Sequence, residues 1–256
     1  HPEEFFAASA DDCPARLTVV SEKLELLESF GIEYVFQLNF TRELSQLSAD
    51  DYIKDILVNG LGVASFIVGN DFRFGHKRGG DFTLLREKGE EYGFEVLETA
   101  AYERNGHRIS STYIREELAK ADLCLVEQLL GRAYSIKGEV VRGKQIGTDL
   151  GFPTCNINPQ RRKIPLHGVY ACEVRLGDRY HAAAVNIGYR PTINEDGSAL
   201  LEAHILDFDE DLYGKVIEVI FREKIRDEVK FEGIDALKSQ ITDDVHQVRE
   251  LLSGAA

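Results

Sequence analysis

The stretch Gly138–Asn156 holds the densest set of residues able to do chemistry. It contains Gly138, Gly143, Gly147 and Gly151, and Arg142 and Lys144 flank Gly143. Glycine lets backbone N–H groups come close to a phosphate, and a neighbouring cation adds charge. The pattern is near G-x-x-x-x-G-K-[ST]. However, Gln145 stands where a magnesium-binding hydroxyl belongs, and the stretch follows strand-like residues without opening a helix, so it is not a P-loop. A glycine-rich hairpin without a ligand accounts for the composition equally well. The stretch closes with Phe152-Pro153-Thr154-Cys155-Asn156. Thr154 and Asn156 stand two residues apart in an extended segment and point to one face. Their neutral, hard oxygens suit Mg²⁺ shared with phosphates. The plain alternative is a turn in which both side chains cap backbone groups.

These residues need elements to position them. Up to about residue 130 helical and strand-like stretches alternate: a helix over Ser21–Phe30, a strand at Tyr34–Leu38, a helix opened by Ser48 and Asp51 through Leu57, a strand ending at Gly69, a helix over Phe82–Tyr92 and a strand at Phe94–Leu97. That order predicts a parallel sheet with crossovers, an α/β domain, whose ligands sit at the carboxyl ends of strands. Beyond Gly131 the period changes. Ile136–Val141, Val169–Leu176, Tyr180–Ile187, Leu200–Leu206 and Val216–Phe221 read as strands separated by Gly and Pro turns. They predict a mainly β half, a closed or sandwiched antiparallel sheet. Ile234, Leu237, Ile241, Val245, Val248 and Leu252 then recur at helical spacing, predicting a C-terminal amphipathic helix on the sheet. The division falls near Leu130-Gly131, giving domains 1–130 and 131–256.

Of the 256 residues, 43% are hydrophobic and 29% charged, enough apolar material for a core, so global disorder is excluded. A net charge of −14, most of it in the first half, repels nucleic acid and anionic membranes. An anionic ligand must therefore be held by local donors. No apolar run approaches the ~20 residues of a bilayer span. The four cysteines are scattered without a C-x-x-C pair, which points to a reducing cytoplasm.

Gly147-x-x-x-Gly151-Phe152-Pro153-Thr154-Cys155-Asn156 closely resembles the flavokinase signature of riboflavin kinases. Further blocks follow in family order: Pro165-x-x-Gly168-Val169-Tyr170, Asn186-Ile187-Gly188-x-x-Pro191-Thr192, Glu202–Phe208, Asp211–Gly214 and Ile225-Arg226-x-Glu228-x-Lys230-Phe231. The earlier half resembles the flavin adenylyltransferase module fused upstream in bacterial bifunctional riboflavin kinase/FAD synthetases. It does so through His1-Pro2-x-x-Phe5-Phe6, Ile67–Gly75 and Ile109-Ser110-Ser111-Thr112-x-Ile114-Arg115. The resemblance implies a truncated Rossmann-like nucleotidyltransferase domain followed by a flavokinase-type antiparallel β-barrel with a C-terminal helix. It implies two reactions, riboflavin to FMN with ATP and FMN to FAD, with ATP, riboflavin, FMN and FAD as small-molecule partners and Mg²⁺ as the metal.

For the kinase, the resemblance makes Glu202 the general base. It gives Thr154 and Asn156 the metal, Gly143, Lys144, Gly147 and Gly151 the ATP phosphates, and Arg226 and Phe231 the flavin border. For the adenylyltransferase it implies Asn70, Asp71, Phe72 and Arg73, with aromatics to stack a flavin or adenine. It adds Ser110, Ser111, Thr112 and Arg115, hydroxyls and a guanidinium at a helix start, where phosphates bind. A buried aromatic turn and ordinary N-capping are the plain alternatives for these two groups. Arg161-Arg162-Lys163 reads as a solvated basic turn. The family's H-x-G-H motif matches nothing here, and His76, between Gly75 and Lys77, does not replace it. With no methionine even at position 1, the expectation is that the first module's start lies upstream and that this chain alone does not make FAD. Two other readings stay open. One is a monofunctional kinase with a non-catalytic first half; the other is a flavin-binding module without turnover. The acidic first half argues against a DNA-binding regulator.

Overall fold

The computed structural model describes residues 1–9, 12–69, 71–104, 106–143, 147, 151–189 and 199–253. The chain forms two compact units, His1–Ser9 with Tyr34–Ile109, and Ala10–Glu33 with Ser110–Ala256. In chain order the principal helices are α1 (Val20–Ser29), α2 (Phe82–Tyr92), α3 (Ser111–Ala119), α4 (Leu123–Leu130) and α5 (Ile234–Ser253). The sequence division at Leu130-Gly131 coincides with the end of α4, where Gly131 takes a left-handed conformation and stops the helix. Compactness changes elsewhere, because residues of 12–33 and helices α3 and α4 belong with the second unit.

In the first unit, β1 (Ser65–Gly69) pairs in parallel with β2 (Glu95–Thr99), Phe66 opposite Val96. The Ser48 hydroxyl accepts from Asp51 N and opens a helix at Ala49–Asp51 that continues as a π-helix over Tyr52–Gly60. Its Ile53 and Leu57 pack with Val68, Phe74, Leu85 and Phe94 in one apolar cluster. Asp81 caps α2 by accepting from Leu84 N. A two-residue pairing of β3 (Glu103–Arg104) with β4 (His107–Arg108) follows. The expected strand at Tyr34–Leu38 does not form, and Tyr34 is 90% exposed. A strand needs a hydrogen-bonding neighbour as well as an apolar run, and among the described residues β1 and β2 pair only with each other.

The second unit is built on a closed barrel with all neighbours antiparallel, in the order β10-β5-β6-β9-β8-β7. Its strands are β5 (Ser135–Val141), β6 (Cys155–Asn158), β7 (Gly168–Leu176), β8 (Arg179–Tyr189), β9 (Ala199–Ile205) and β10 (Val216–Arg226). Alternate residues fill the interior. Ile136, Ile157, Val174, Val185, Leu201 and Val219 are fully buried. Tyr134, Tyr170 and Phe221 add a large aromatic cluster, with ring centroids 5.6–6.0 Å apart. Helix α5 lies on the outer face of the barrel, where Val245, Val248 and Leu252 pack with Ala171, Ala184 and Leu206.

Arg161 corrects the reading of the 161–163 run as a solvated turn. Its side chain is 0% exposed and both carboxylate oxygens of Glu22 in α1 accept from its Nη2, at 2.5 and 2.6 Å. It also donates to Leu17 O and Pro159 O. Glu22 in turn accepts from Lys137 N of β5 and from Val19 N. This buried network ties the 12–33 segment to the barrel. Removing one partner of such a pair strands the other charge, at a cost of about 3–5 kcal/mol. Arg161→Ala is therefore expected to lose about that much stability in urea unfolding followed by far-ultraviolet circular dichroism. A loss below about 1 kcal/mol would show that the pair is dispensable.

Candidate functional site

The barrel register sets a row of side chains side by side on its outer face. Asn156 of β6 is opposite Glu202 of β9. Glu202 is opposite Asn186 of β8, which is opposite Val169 of β7, which is opposite Arg226 of β10. Directly opposed residues in antiparallel strands share a face. All five line one cavity of about 360 Å³, roofed by Leu237, Ile241 and Asp244 of α5. Leu201 and Ala203, on either side of Glu202, are buried in the barrel, so the strand's alternation delivers Glu202 to the cavity. One step along the same faces, Thr154, His204 and Ala184 also line it.

Two atoms in this row are unusual. Oδ1 of Asn156 and Oδ1 of Asn186 are buried and lack a hydrogen-bond partner among the described residues. An unmet buried acceptor costs about 1–3 kcal/mol, so native structures rarely keep one without a reason. The Asn186 amide nitrogen donates to Glu228 Oε1 at 3.1 Å. His204 donates from Nδ1 to Pro153 O at 2.8 Å and meets the Phe152 ring edge-on at 5.6 Å, which fixes the segment leading into Thr154.

The glycines now have a steric reason. A Cβ on Gly143 would overlap the Asn156 side-chain amide, and one on Gly147 would overlap the Phe152 carbonyl oxygen and press on Thr154 Oγ1. Backbone at these two positions thus lies directly against Asn156 and Thr154. Gly151 sits at a positive φ of 85° that favours glycine. Lys144 lies outside the described residues.

At the other end, Arg226 pairs bidentately with Asp244, Nε to Oδ1 at 2.9 Å and Nη2 to Oδ2 at 2.8 Å. Gln240 donates to the same carboxylate, which is 3% exposed. The Arg226 guanidinium lies 5.8 Å from the centre of the Phe231 ring. Arg226 therefore borders the cavity as a flat, already neutralised surface rather than a free charge. Nearby, the Lys224 ammonium holds the Asp227 carboxyl below the usual carboxylate range.

The adenylyltransferase candidates fall in both compact units. Asp71, Phe72 and Arg73 belong to the first. Phe72 stacks on Phe74 at 5.4 Å, Arg73 donates to Phe72 O, and the exposed Asp71 pairs with Arg108 at 2.9 Å, which lowers its carboxyl pKa. Asn70 lies outside the described residues. Ser110, Ser111, Thr112 and Arg115 belong to the second unit. The Ser110 hydroxyl caps α3 by accepting from Tyr113 N, while Ser111 and Thr112 are exposed. Arg115 donates to Ala15 O at 2.7 Å.

Sequence reasoning gave no role to Asn186, Glu228 or Asp244. The available signal was a lone polar residue in the apolar run Ala182–Ile187 and a lone acid at the core phase of α5, between Ile241 and Val248. Among the described residues no group of three or more His, Cys, Asp or Glu is placed to hold a metal. A cation here would have to use neutral oxygens and those of its ligand, and the orphaned Asn156 Oδ1 beside Thr154 fits Mg²⁺ on those terms.

Residues 130–252 match a family model described as riboflavin kinase, and residues 1–113 match one described as FAD synthetase. A bifunctional riboflavin kinase/FMN adenylyltransferase of Escherichia coli K12 is 45% identical over 250 residues, 97% of this chain and 79% of that protein. The Pseudomonas fluorescens protein of the same name is 41% identical over 255 residues, covering 100% of this chain and 81% of its own length. A Streptococcus pneumoniae crystal structure described as a macrolide-efflux protein superposes with a TM-score of 0.80 at 26% identity, over 97% of this chain and 80% of that one. Among the described residues no helix is long and apolar enough to cross a membrane.

The Cys155 thiol, at the start of β6, gives a direct check on this packing. Burial pushes its pKa up to about 11. Below that pH its thiolate fraction, and hence its alkylation rate, should climb about tenfold per pH unit. Peptide mapping after iodoacetamide treatment at pH 8 should find exposed Cys124 modified and Cys155 largely spared. Equal labelling of the two would contradict the partial burial of Cys155 at the start of β6.

Proposed function

Because the chain belongs to the family of bifunctional riboflavin kinase/FMN adenylyltransferases, we propose that its kinase reaction takes place in the cavity over β6, β9 and β8. The family's first activity moves the γ-phosphoryl group of ATP to riboflavin, giving FMN; the second moves the adenylyl group of ATP to FMN, giving FAD. On this reading residues 131–256 carry the kinase and residues 1–130 belong to the adenylyltransferase. The compartment is the cytoplasm, where riboflavin and ATP are available as free small molecules and the four cysteines, none in a disulfide, remain reduced.

The observation that carries the kinase assignment is the Asn156–Glu202–Asn186 row, one carboxylate between two orphaned carbonyl oxygens in a single hollow. Glu202 accepts the proton of the ribityl 5′-hydroxyl as that oxygen bonds to the γ-phosphorus and the bond to the ADP oxygen breaks. Such transfers depend on alignment and charge neutralisation more than on covalent help. Gly143 and Gly147 bring backbone against Asn156 and Thr154, so phosphate oxygens lie beside amide N–H groups, with Lys144 adding charge. Thr154 Oγ1 and Asn156 Oδ1 would hold Mg²⁺, which supplies charge neutralisation for the triphosphate. Arg226 and Phe231 offer a flat edge for the isoalloxazine ring.

The adenylyltransferase assignment rests on weaker geometry. Within the first unit, Phe72 presents a ring already stacked on Phe74, flanked in sequence by the polar Asp71 and Arg73; within the second unit, taken by itself, Ser111, Thr112 and Arg115 lie in the first turns of α3. Incubating the full chain with riboflavin, ATP and Mg²⁺ and separating the products by chromatography reads FMN and FAD independently.

Glu202→Ala is expected to lower kcat for FMN formation by on the order of 10²–10⁴, with little change in ATP affinity. Near-normal turnover in that variant would remove Glu202 from the chemistry. Thr154→Ala and Asn156→Ala should instead raise the Mg²⁺ concentration needed for half-maximal rate. An unaltered metal titration in both would move the metal elsewhere.

A further inference from the structure

Asn186 has an orientation that the structure itself determines. Its side-chain partner is the Glu228 carboxylate, which can only accept, so the amide nitrogen must face Glu228. Oδ1 is then turned away from Glu228 and is buried without a partner among the described residues. Gly188 makes the arrangement possible, since a Cβ there would stand 2.6 Å from Glu228 Oε1. Asn186, Glu228 and Glu202 all line this end of the cavity, which is therefore rich in side-chain acceptor oxygens.

Triphosphate oxygens are acceptors too and gain nothing from that end. What satisfies Asn186 Oδ1 is a donor, and the co-substrate of this reaction carries a chain of hydroxyl groups. Asn186 is the direct cross-strand neighbour of Glu202, and such neighbours lie about 4.5–5.5 Å apart. A polyol whose terminal hydroxyl meets Glu202 has its next hydroxyls within reach of Asn186. We propose that Asn186 is a specificity residue of the kinase site. Its Oδ1 accepts a hydrogen bond from an internal ribityl hydroxyl of riboflavin, and Glu228 holds the amide in the orientation that keeps this acceptor facing the substrate. This deepens, and rests on, the assignment of the kinase reaction to this cavity.

The test compares riboflavin with lumiflavin, which has the same ring system and a methyl group in place of the ribityl chain. Flavin fluorescence titrations in the presence of ADP and Mg²⁺ give both affinities for the full chain. Asn186→Leu keeps the branched shape and removes the acceptor together with the donor to Glu228. It should weaken riboflavin by about 10–100-fold and leave lumiflavin within about twofold. Glu228→Gln lets the Asn186 amide turn over, and should weaken riboflavin several-fold, again without affecting lumiflavin. This milder variant answers the question if Asn186→Leu fails to fold, as judged by its melting curve. Equal weakening of both flavins, or no weakening of riboflavin, overturns the proposal. Glu202→Ala measured alongside separates the two levels. If it keeps full turnover, the site assignment fails. If it loses turnover while Asn186→Leu treats both flavins alike, only the role of Asn186 fails.

Discussion

Strand register in the closed barrel is the constraint on which the site depends. Asn156, Glu202 and Asn186 come from segments far apart in sequence, and only the pairing of β6 with β9 and of β9 with β8 makes them neighbours. A slip of one residue would turn all three inward and push Ile157, Leu201, Val185 and their apolar neighbours out. Each such side chain contributes about 1.5–3 kcal/mol when buried. The apolar interior therefore holds the polar outer row in place, although it never touches a substrate. Closure adds to this, because a closed sheet has no free edge along which a strand can shift.

A polar row on the outside of a barrel becomes a cavity only when something covers it. Helix α5 does so, and the Arg226–Asp244 pair fixes where it lies. Two irregularities in the pairing of β10 with β7, between Phe221 and Glu223 and between Lys224 and Arg226, carry Arg226 into line with Val169 and the polar row. The carboxylate that meets it is almost fully buried and takes a further hydrogen bond from Gln240. Buried ion pairs add little net stability, but they penalise alternative arrangements in which either charge is unpaired. Together with the apolar packing of Val245, Val248 and Leu252, the pair joins α5 to the end of β10 beside the polar row.

Much of this was legible in the sequence, for reasons that can be stated element by element. The β strands of the second half announce themselves by alternation, and α5 by its helical stripe. Glu202 between Leu201 and Ala203 was readable as a side chain on the opposite face from the core. Thr154 and Asn156 were readable as same-face oxygens. Strand β6 was visible only as an extended segment, because four residues are too few to establish a period. Asn186 gave no pattern beyond its polarity, since its orientation depends on Glu228, which arrives from the loop after β10. Arg161 was misread because a basic triplet normally faces water, and its partner Glu22 lies well over a hundred residues earlier. Tyr34–Leu38 was misread because an apolar run is necessary for a strand but does not supply its neighbour.

The proposed site must reconcile an acidic protein of net charge −14 with a polyanionic substrate, and the two orphaned carbonyl oxygens are where it would do so. The row offers acceptors, and ATP brings more of them, so direct contact is unfavourable on both counts. Two kinds of group reconcile acceptors with each other: a cation shared between them, or a proton donor on one partner. At Asn156, beside Thr154 and the glycine backbone, the neutral oxygens suit a shared cation. At Asn186, beside Glu202 and Glu228, the surrounding carboxylates make a hydroxyl donor the better match. On the proposed reading, a single row of hydrogen-bond acceptors has two chemically different ends, one for metal and phosphate at Asn156 and one for a polyol at Asn186. Glu202 is the cross-strand neighbour of both, and in the proposed reaction the hydroxyl would arrive from one side of it and the γ-phosphorus from the other.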